Sequence, residues 1–323
     1  MSRTKVAVLM GGPDAEHEVS LASGTRVADA LEAHGRFEVV RRVVDRPDAA
    51  TLRSLDADAV FPVLHGPFGE GGPLQDALEA AGVPYVGSGP MAARRGMDKL
   101  ESKRLAAGRG VPTPAAIDPA QEPPGRLEPP VVVKPIDEGS SVGVRLCGSA
   151  FEVAEACREL AGRRLMIERL VPGRELTVGI VCGQPLPIVE IVPAEGFYDY
   201  EAKYHRDDTR YEVDPPLDPR HAEACRRHAL EIWEAVGCRD LARVDFMLDA
   251  DGPWFLEVNT MPGMTGHSLL PMAADRAGLP MPELCGLLVA AALARGSGPG
   301  SARTATTAAT AAKAVEPGTR TRR

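Results

Sequence analysis

The sequence predicts an α/β protein of two or three domains, on three observations. Strand-like and helix-like segments alternate over residues 1–88, the pattern of a parallel sheet covered by helices. Two later pairs of strand-like runs are joined by turn residues, the pattern of antiparallel hairpins. A chain of 323 residues also exceeds what one hydrophobic core holds.

VAVLM, the Gly11-Gly12 pair and a helical pattern over 18–33 read as strand, loop and helix. FEVVRRVV and DAVFPVLHG follow as strands, and PLQDALEAAG as a helix stopped by Gly82. In such a sheet, functional loops gather at the carboxyl ends of the strands. MDKLESKRLAAGRG is helical, whereas PTPAAIDPAQEPPGRLEPP is too rich in proline for a helix or an inner strand and reads as a surface connection. VVVKP and VGVRLC are strands, FEVAEACRELAG a helix and LMIERL a strand. ELTVGIV and LPIVEIV form a hairpin around Cys182-Gly183-Gln184-Pro185, and 218–236 is a long amphipathic helix. LARVDFMLD and DGPWFLEVN form a second hairpin on Asp249-Ala250-Asp251-Gly252, and two helices follow. The Ala/Thr-rich segment 296–323 has no core-forming pattern and is expected to be disordered.

The composition, 44% hydrophobic and 25% charged, is that of a soluble globular protein. A net charge of −8 argues against nucleic acid as a partner. The body is more acidic still, because 296–323 carries five Lys/Arg against one Glu. No apolar run is long enough to span a bilayer, and the one near the start is too short for a signal peptide. Six scattered cysteines without a CxxC pair read as reduced core residues. The expectation is a cytoplasmic protein without a membrane partner.

Several segments carry potential chemistry. In VVVKPIDEGSSVGV a strand delivers Lys134, and Gly139-Ser140-Ser141 follows. Such a loop can present backbone N–H groups to an anion, or it can simply turn a hairpin. The pattern is not a Walker A loop. Gly87-Ser88-Gly89-Pro90-Met91-Ala92 fits a GxGxxA dinucleotide pattern, but a turn with Pro90 opening a helix explains it better. In FLEVN, Glu257 and Asn259 share a strand face, and the hairpin brings Asp245 beside them. Two carboxylates and an amide suit Mg²⁺. Arg243 alternates onto the same face as Asp245, so a purely structural ion pair is the competing reading. Glu16 in GGPDAEHEVSLASG, His65 in HGPFGEGG and the tyrosines of FYDYEAKY are each explained as well by capping or packing.

Six blocks in order, GGPDAEHEVSLASG, HGPFGEGG, YVGSGPMAARRGMDKLESK, VVVKPIDEGSSVGV, FYDYEAKY and RVDFMLDADGPWFLEVNTMPGMTGHSLLPMA, resemble the D-alanine–D-alanine ligases of the ATP-grasp superfamily. The resemblance runs from Val6 to about residue 290. It implies a three-domain ATP-grasp architecture: an N-terminal parallel-sheet domain (1–89), central (90–171) and C-terminal (172–295) ATP-grasp domains, and the tail (296–323). It implies ATP as co-substrate and two Mg²⁺ ions, with Mn²⁺ as a substitute, on Asp245, Glu257 and Asn259. Lys99 and Lys134 would contact the phosphates under the GSSVG loop, Glu168, Arg169, Leu170 and Val171 would lie along the adenine, Glu175 would hold the ribose, and Ser140, Ser141 and Lys203 would also bind ATP. Glu16, Ser140 and Tyr204 resemble the family's hydrogen-bonded set over the substrates. His65 and Glu70 would face D-alanine, as would Ser268 and Leu269 for the second copy. Arg243 and the backbone N–H of Gly263 are the candidates for oxyanion donors.

The implied reaction joins two D-alanines through an acyl phosphate, in peptidoglycan precursor synthesis, and the family implies a homodimer. FYDYEAKY argues against a D-lactate-using relative, while D-serine remains an alternative second substrate. The blocks around Glu16 and Ser268 argue against other ATP-grasp carboxylate–amine ligases. A non-catalytic nucleotide-binding protein would lack lysines or metal ligands, and none is missing. HGPFGEGG departs from the family pattern at Gly72, which implies altered loop rigidity with His65 and Glu70 intact.

Overall fold

The structure, a computed structural model, describes residues 3–139, 142–192 and 209–296. It opens with β1 (Thr4–Gly11), α1 (His17–His34), β2 (Phe37–Val44), α2 (Ala49–Arg53), β3 (Ala59–Pro62), α3 (Gly66–Glu70) and α4 (Pro73–Ala81). The strands pair in parallel in the order β2-β1-β3, as the alternation predicts. β1 is central and covered on both faces, so its apolar run is continuous. Parity still decides where each residue packs. Val6, Val8 and Met10 join Val27 and Leu31 of α1, whereas Ala7 and Leu9 join Leu52 of α2 and Leu74 and Leu78 of α4. Ser20 of α1 ties the two strand ends together: its hydroxyl accepts from Gly11 N at 2.8 Å and donates to the Val63 carbonyl.

α5 (Pro90–Met97) and α6 (Lys99–Gly108) follow. Pro90 opens α5 after the Gly89 N-cap, which settles the GxGxxA segment as a helix start. The chain breaks at Asp98, whose carboxylate accepts from Glu101 N at 3.0 Å and so caps α6. The central sheet comprises β4 (Ala116–Ile117), β5 (Val131–Pro135), β6 (Arg145–Cys147) and β7 (Leu165–Arg169), with α7 (Ala150–Glu159) on one face. Its order is β4-β7-β5-β6, all antiparallel. The proline-rich passage thus contributes the two-residue edge strand β4, the one sheet position that tolerates such a sequence.

The third sheet is β10-β9-β8-β11-β12, from β8 (Arg174–Val181), β9 (Gln184–Val192), β10 (Arg210–Val213), β11 (Leu241–Leu248) and β12 (Pro253–Asn259). Cys182 and Gly183, at φ 48° and 77°, turn the expected β8–β9 hairpin, a left-handed pair that matches the twist of the strands. α8 (Pro219–Val236) covers one face together with Ala92 of α5 and Ala106 of α6. α9 (Leu269–Arg276) and α10 (Met281–Arg295) return to the first sheet, where Leu284, Leu288, Val289 and Ala292 share a core with Val6, Val8 and Leu31. Among the described residues no single helix is long and apolar enough to cross a membrane.

Asp240, just before β11, closes this arrangement. Its buried carboxylate receives both guanidinium nitrogens of Arg295 from α10, at 2.6 and 2.8 Å, and Gly87 N at 2.8 Å. Arg295 also donates to the Tyr85 carbonyl at 2.9 Å. Removing one partner of a buried ion pair strands the other. Asp240→Ala is therefore expected to lower the unfolding free energy by about 3–5 kcal/mol. Urea denaturation checks this; a loss under about 1 kcal/mol would show that the tie is no stronger than a surface pair.

Candidate active site

Alternation sends one face of each antiparallel sheet onto helices and the other toward its neighbour. In the central sheet Val131, Val133, Leu165 and Ile167 pack under α7, leaving Val132, Lys134, Met166 and Glu168 on the opposite face. The register pairs Val132 with Glu168 and Lys134 with Met166, so the lysine and the carboxylate are diagonal neighbours. In the third sheet Leu176, Val178, Val244 and Phe246 pack on α8, which turns Glu175, Thr177, Arg243 and Asp245 the other way. A register shift between Asp245 and Phe246 places Leu256 as an extra residue in β12. Phe255 can then enter the core while Glu257 and Asn259 lie opposite Asp245 and Arg243.

A cavity of about 380 Å³ opens between the sheets. Lys99, Lys134, Glu168, Arg169, Leu170, Val171, Glu175, Asp245 and Glu257 all line it. A smaller pocket of about 40 Å³ shares Lys99, Glu138 and Glu257 with it and adds Glu70, Gly139 and Asn259.

Several charges in this space are paired. Lys99, at the start of α6, donates to the Glu138 carbonyl at 2.6 Å and lies 3.3 Å from Glu257 Oε2. Glu168 is only 3% exposed and holds two ammonium groups, Lys134 on Oε1 and Lys103 at 2.8 Å from Oε2. Burial alone would raise the Glu168 pKa, but the two lysines outweigh it and hold the carboxyl below its ordinary value. Burial pushes Lys103 down to about 8 against the pull of Glu168. Asp245 is gripped by Arg243, with Nε at 3.0 Å from Oδ1 and Nη2 at 2.9 Å from Oδ2, and accepts from Thr177 Oγ1 at 2.6 Å.

The ion pair foreseen as the alternative to a metal is therefore present. The oxygen set still suits a hard divalent cation: Asp245 and Glu257 face each other across the ladder, with the Asn259 amide two register positions away on the same face. Among the described residues there is no group of three or more His, Cys, Asp or Glu placed to hold a metal, so any such site rests on two carboxylates and an amide.

The N-terminal loops converge on the same space. Glu16, the N-cap of α1, lies against Gly139, where a Cβ would stand 3.4 Å from Glu16 Oε1. Asp14 Oδ2 accepts from Phe68 N at 2.8 Å, joining this loop to α3. His65 is the buried N-cap of α3, and Glu70 Oε1 accepts from Gly66 N at 3.1 Å. Gly72 adopts φ 116°, with Arg94 where a side chain would start, so the backbone itself demands glycine there. Ser268 Oγ accepts from Thr265 N at 2.9 Å and borders Gly263, and Leu269 is buried in the core shared with α1. Ser140, Ser141, Lys203 and Tyr204, with Tyr198 and Tyr200, lie outside the described residues.

Sequence reasoning passed over Lys103, Thr177 and Asp14. A signal for Lys103 existed: it stands four residues after Lys99, on the same side of α6.

A parallel-sheet unit followed by two antiparallel sheets closing on a lysine- and carboxylate-lined cavity is the ATP-grasp fold. Family models described as D-ala D-ala ligase C-terminus and N-terminus match residues 116–290 and 41–88. The D-alanine–D-alanine ligase of Syntrophotalea carbinolica is 41% identical over 300 residues, covering 91% of this chain and 98% of that protein. That of Anaeromyxobacter sp. is 44% identical over 291 residues, covering 87% and 94%. Among solved structures, the Bacillus anthracis D-alanine–D-alanine ligase complexed with ATP superposes with a TM-score of 0.80 at 32% identity, covering 91% and 98%. The VanG D-Ala:D-Ser ligase from Enterococcus faecalis gives 0.78 at 26%, covering 90% and 100%. The chain belongs to the D-alanine–D-alanine ligase family.

The lowered pKa of Glu168 fixes a sign. As pH falls the unfolded chain takes up this proton first. The stability contributed by the ion pairs is thus complete above the unfolded value and drains away as pH falls through the folded one. Glu168→Gln should cost about 3–5 kcal/mol at pH 7, since it leaves two ammonium groups without their carboxylate. The deficit should shrink in denaturation series taken to lower pH. A pH-independent gap would sink the ionised assignment.

Proposed function

We propose that the protein ligates two D-alanines to D-alanyl-D-alanine at the expense of ATP, supplying a peptidoglycan precursor in the cytoplasm as a homodimer. The observation that carries this is the single cavity in which Lys99, Lys134, Glu168, Glu175, Asp245 and Glu257 converge, beside the loops bearing Glu16 and Glu70.

In this reading a carboxylate oxygen of the first D-alanine attacks the γ-phosphorus of ATP. The new O–P bond forms as the β–γ bridge breaks, giving an acyl phosphate and ADP. The amine of the second D-alanine, having lost a proton, then attacks the acyl carbon. The C–N bond forms, the C–O bond breaks and phosphate leaves, with the second proton of the nitrogen passing to the departing phosphate. Lys99 and Lys134 neutralise the phosphates, Glu168 to Val171 border the adenine, and Glu175 takes the ribose. Asp245, Glu257 and Asn259 would hold Mg²⁺, or Mn²⁺ in its place, which supplies further neutralisation of phosphoryl charge. Arg243 and Gly263 N donate toward the tetrahedral oxyanion. His65, Glu70, Ser268 and Leu269 orient the amino acids, and Glu16, with Ser140 and Tyr204 as its partners by family resemblance, serves the same substrates. Arg243 also holds Asp245 in place, so its two roles are coupled.

Phosphate release with ATP, Mg²⁺ and a panel of D-alanine, L-alanine, D-serine and D-lactate tests the reading. Turnover on D-alanine alone is expected. Turnover only on L-alanine would overturn it, and dependence on added D-serine would reassign the second substrate. Glu257→Gln should reduce turnover by about a hundredfold, the scale for losing one preorganised contact to reacting charge. Glu257 is about a third exposed, so its unfolding free energy should move by no more than about 1 kcal/mol. A sharply lowered midpoint with normal activity per folded molecule would remove Glu257 from the metal set.

A further inference from the structure

The two lysines on Glu168 are not equivalent. Lys134 projects from β5 into the cavity. Lys103 reaches Glu168 from α6, behind the cavity, and is not among the residues that line it. Lys103 is also anchored on the far side, donating to Thr113 Oγ1 at 2.9 Å and to the Phe255 carbonyl at 3.2 Å, with its ammonium 5.9 Å from the Phe255 ring centre. Besides its ion pair with Glu168, Lys103 is thus held by Thr113 and by Phe255. Lys134 has its ion pair with Glu168 and borders the cavity.

A lysine that turns toward phosphate shares or withdraws the charge it gives to the carboxylate that holds it. A carboxylate as buried as Glu168 cannot be left without a counter-charge. We propose that Lys103 is a positioning residue that stays on Glu168 as a resident counter-charge, so that Lys134 is free to transfer to the phosphates of ATP. Without Lys103, Glu168 would retain Lys134 and the nucleotide would compete with a buried ion pair. Burial lowers the pKa of Lys103 to about 8, and Glu168 is the strongest influence holding its charge against that burial. The inference rests on the reading of this cavity as the ATP site.

Equilibrium binding of ATP with Mg²⁺, measured by calorimetry on the full chain, tests it through a double-mutant cycle. Lys103→Met should weaken ATP binding by about tenfold or more in the otherwise native protein, but by no more than about twofold in the Glu168→Gln background, where nothing traps Lys134. The KM for D-alanine should stay within about twofold in both. Equal weakening in the two backgrounds, or none in either, would overturn the proposal. Wild-type protein that binds no ATP would instead overturn the reading of the cavity. Should Lys103→Met not fold, a crystal structure of the wild-type ATP complex decides. Lys103 within hydrogen-bond distance of Glu168 with Lys134 on a phosphate is the expected result; Lys134 still on Glu168 is the contrary one.

Discussion

The interaction on which the site depends is a charge held where charge is expensive. Glu168 lies on the inner face of a sheet, shut off from water, and keeps its negative charge only because ammonium groups come to it. They come from two different structural units: Lys134 from the central sheet itself, Lys103 from a helix packed on the third sheet. The same electrostatic demand that would destabilise a lone carboxylate thus ties the central sheet to a helix packed on the third sheet, along the floor of the cavity. Arg169, the next residue, repeats the join in a softer form, its guanidinium 4.8 Å from the Trp254 ring centre of β12.

The third sheet shows how one face can serve two purposes. Along β8 and β11, alternate residues turn away from α8. At one end these are Glu175, Thr177, Arg243 and Asp245, which border or support the cavity; at the other they are Val181 and Leu241, which meet α9, α10 and the first sheet. A single strand therefore runs from polar site to apolar core without changing its pattern. Only the identity of the inward residues changes. That is why RVDF and ELTV read as ordinary strands and still carry the chemistry.

Much of this was legible because it followed from period two. Lys134, Glu168, Arg243 and Asp245 could be assigned to faces by counting, and the alternation of strands and helices over 1–88 led directly to the parallel sheet. What counting could not supply was anything that depends on a third dimension or a broken rhythm. Strict alternation puts Phe255 on the same face as Glu257, and only the extra residue at Leu256 separates them. MDKLESKRLAAGRG announces a helix but not that its lysines would reach carboxylates on two different sheets. Nor does the glycine-rich HGPFGEGG reveal that Gly72 answers to backbone geometry and to the side chain of Arg94.

The core shared by α9, α10 and the first sheet has a mechanical consequence. Since Leu284, Leu288 and Val289 pack with Val6 and Leu31, and Asp240 clasps Arg295 and Gly87, the first and last parts of the fold make one frame. The central sheet keeps a separate core of its own under α7 and joins that frame through two short stretches, around 109–115 and 170–173. The two walls of the cavity are therefore built differently: one belongs to the frame, while the other is connected to it by chain at two places and held against it by contacts such as Lys103–Glu168, Lys99–Glu138 and Arg164–Asp98.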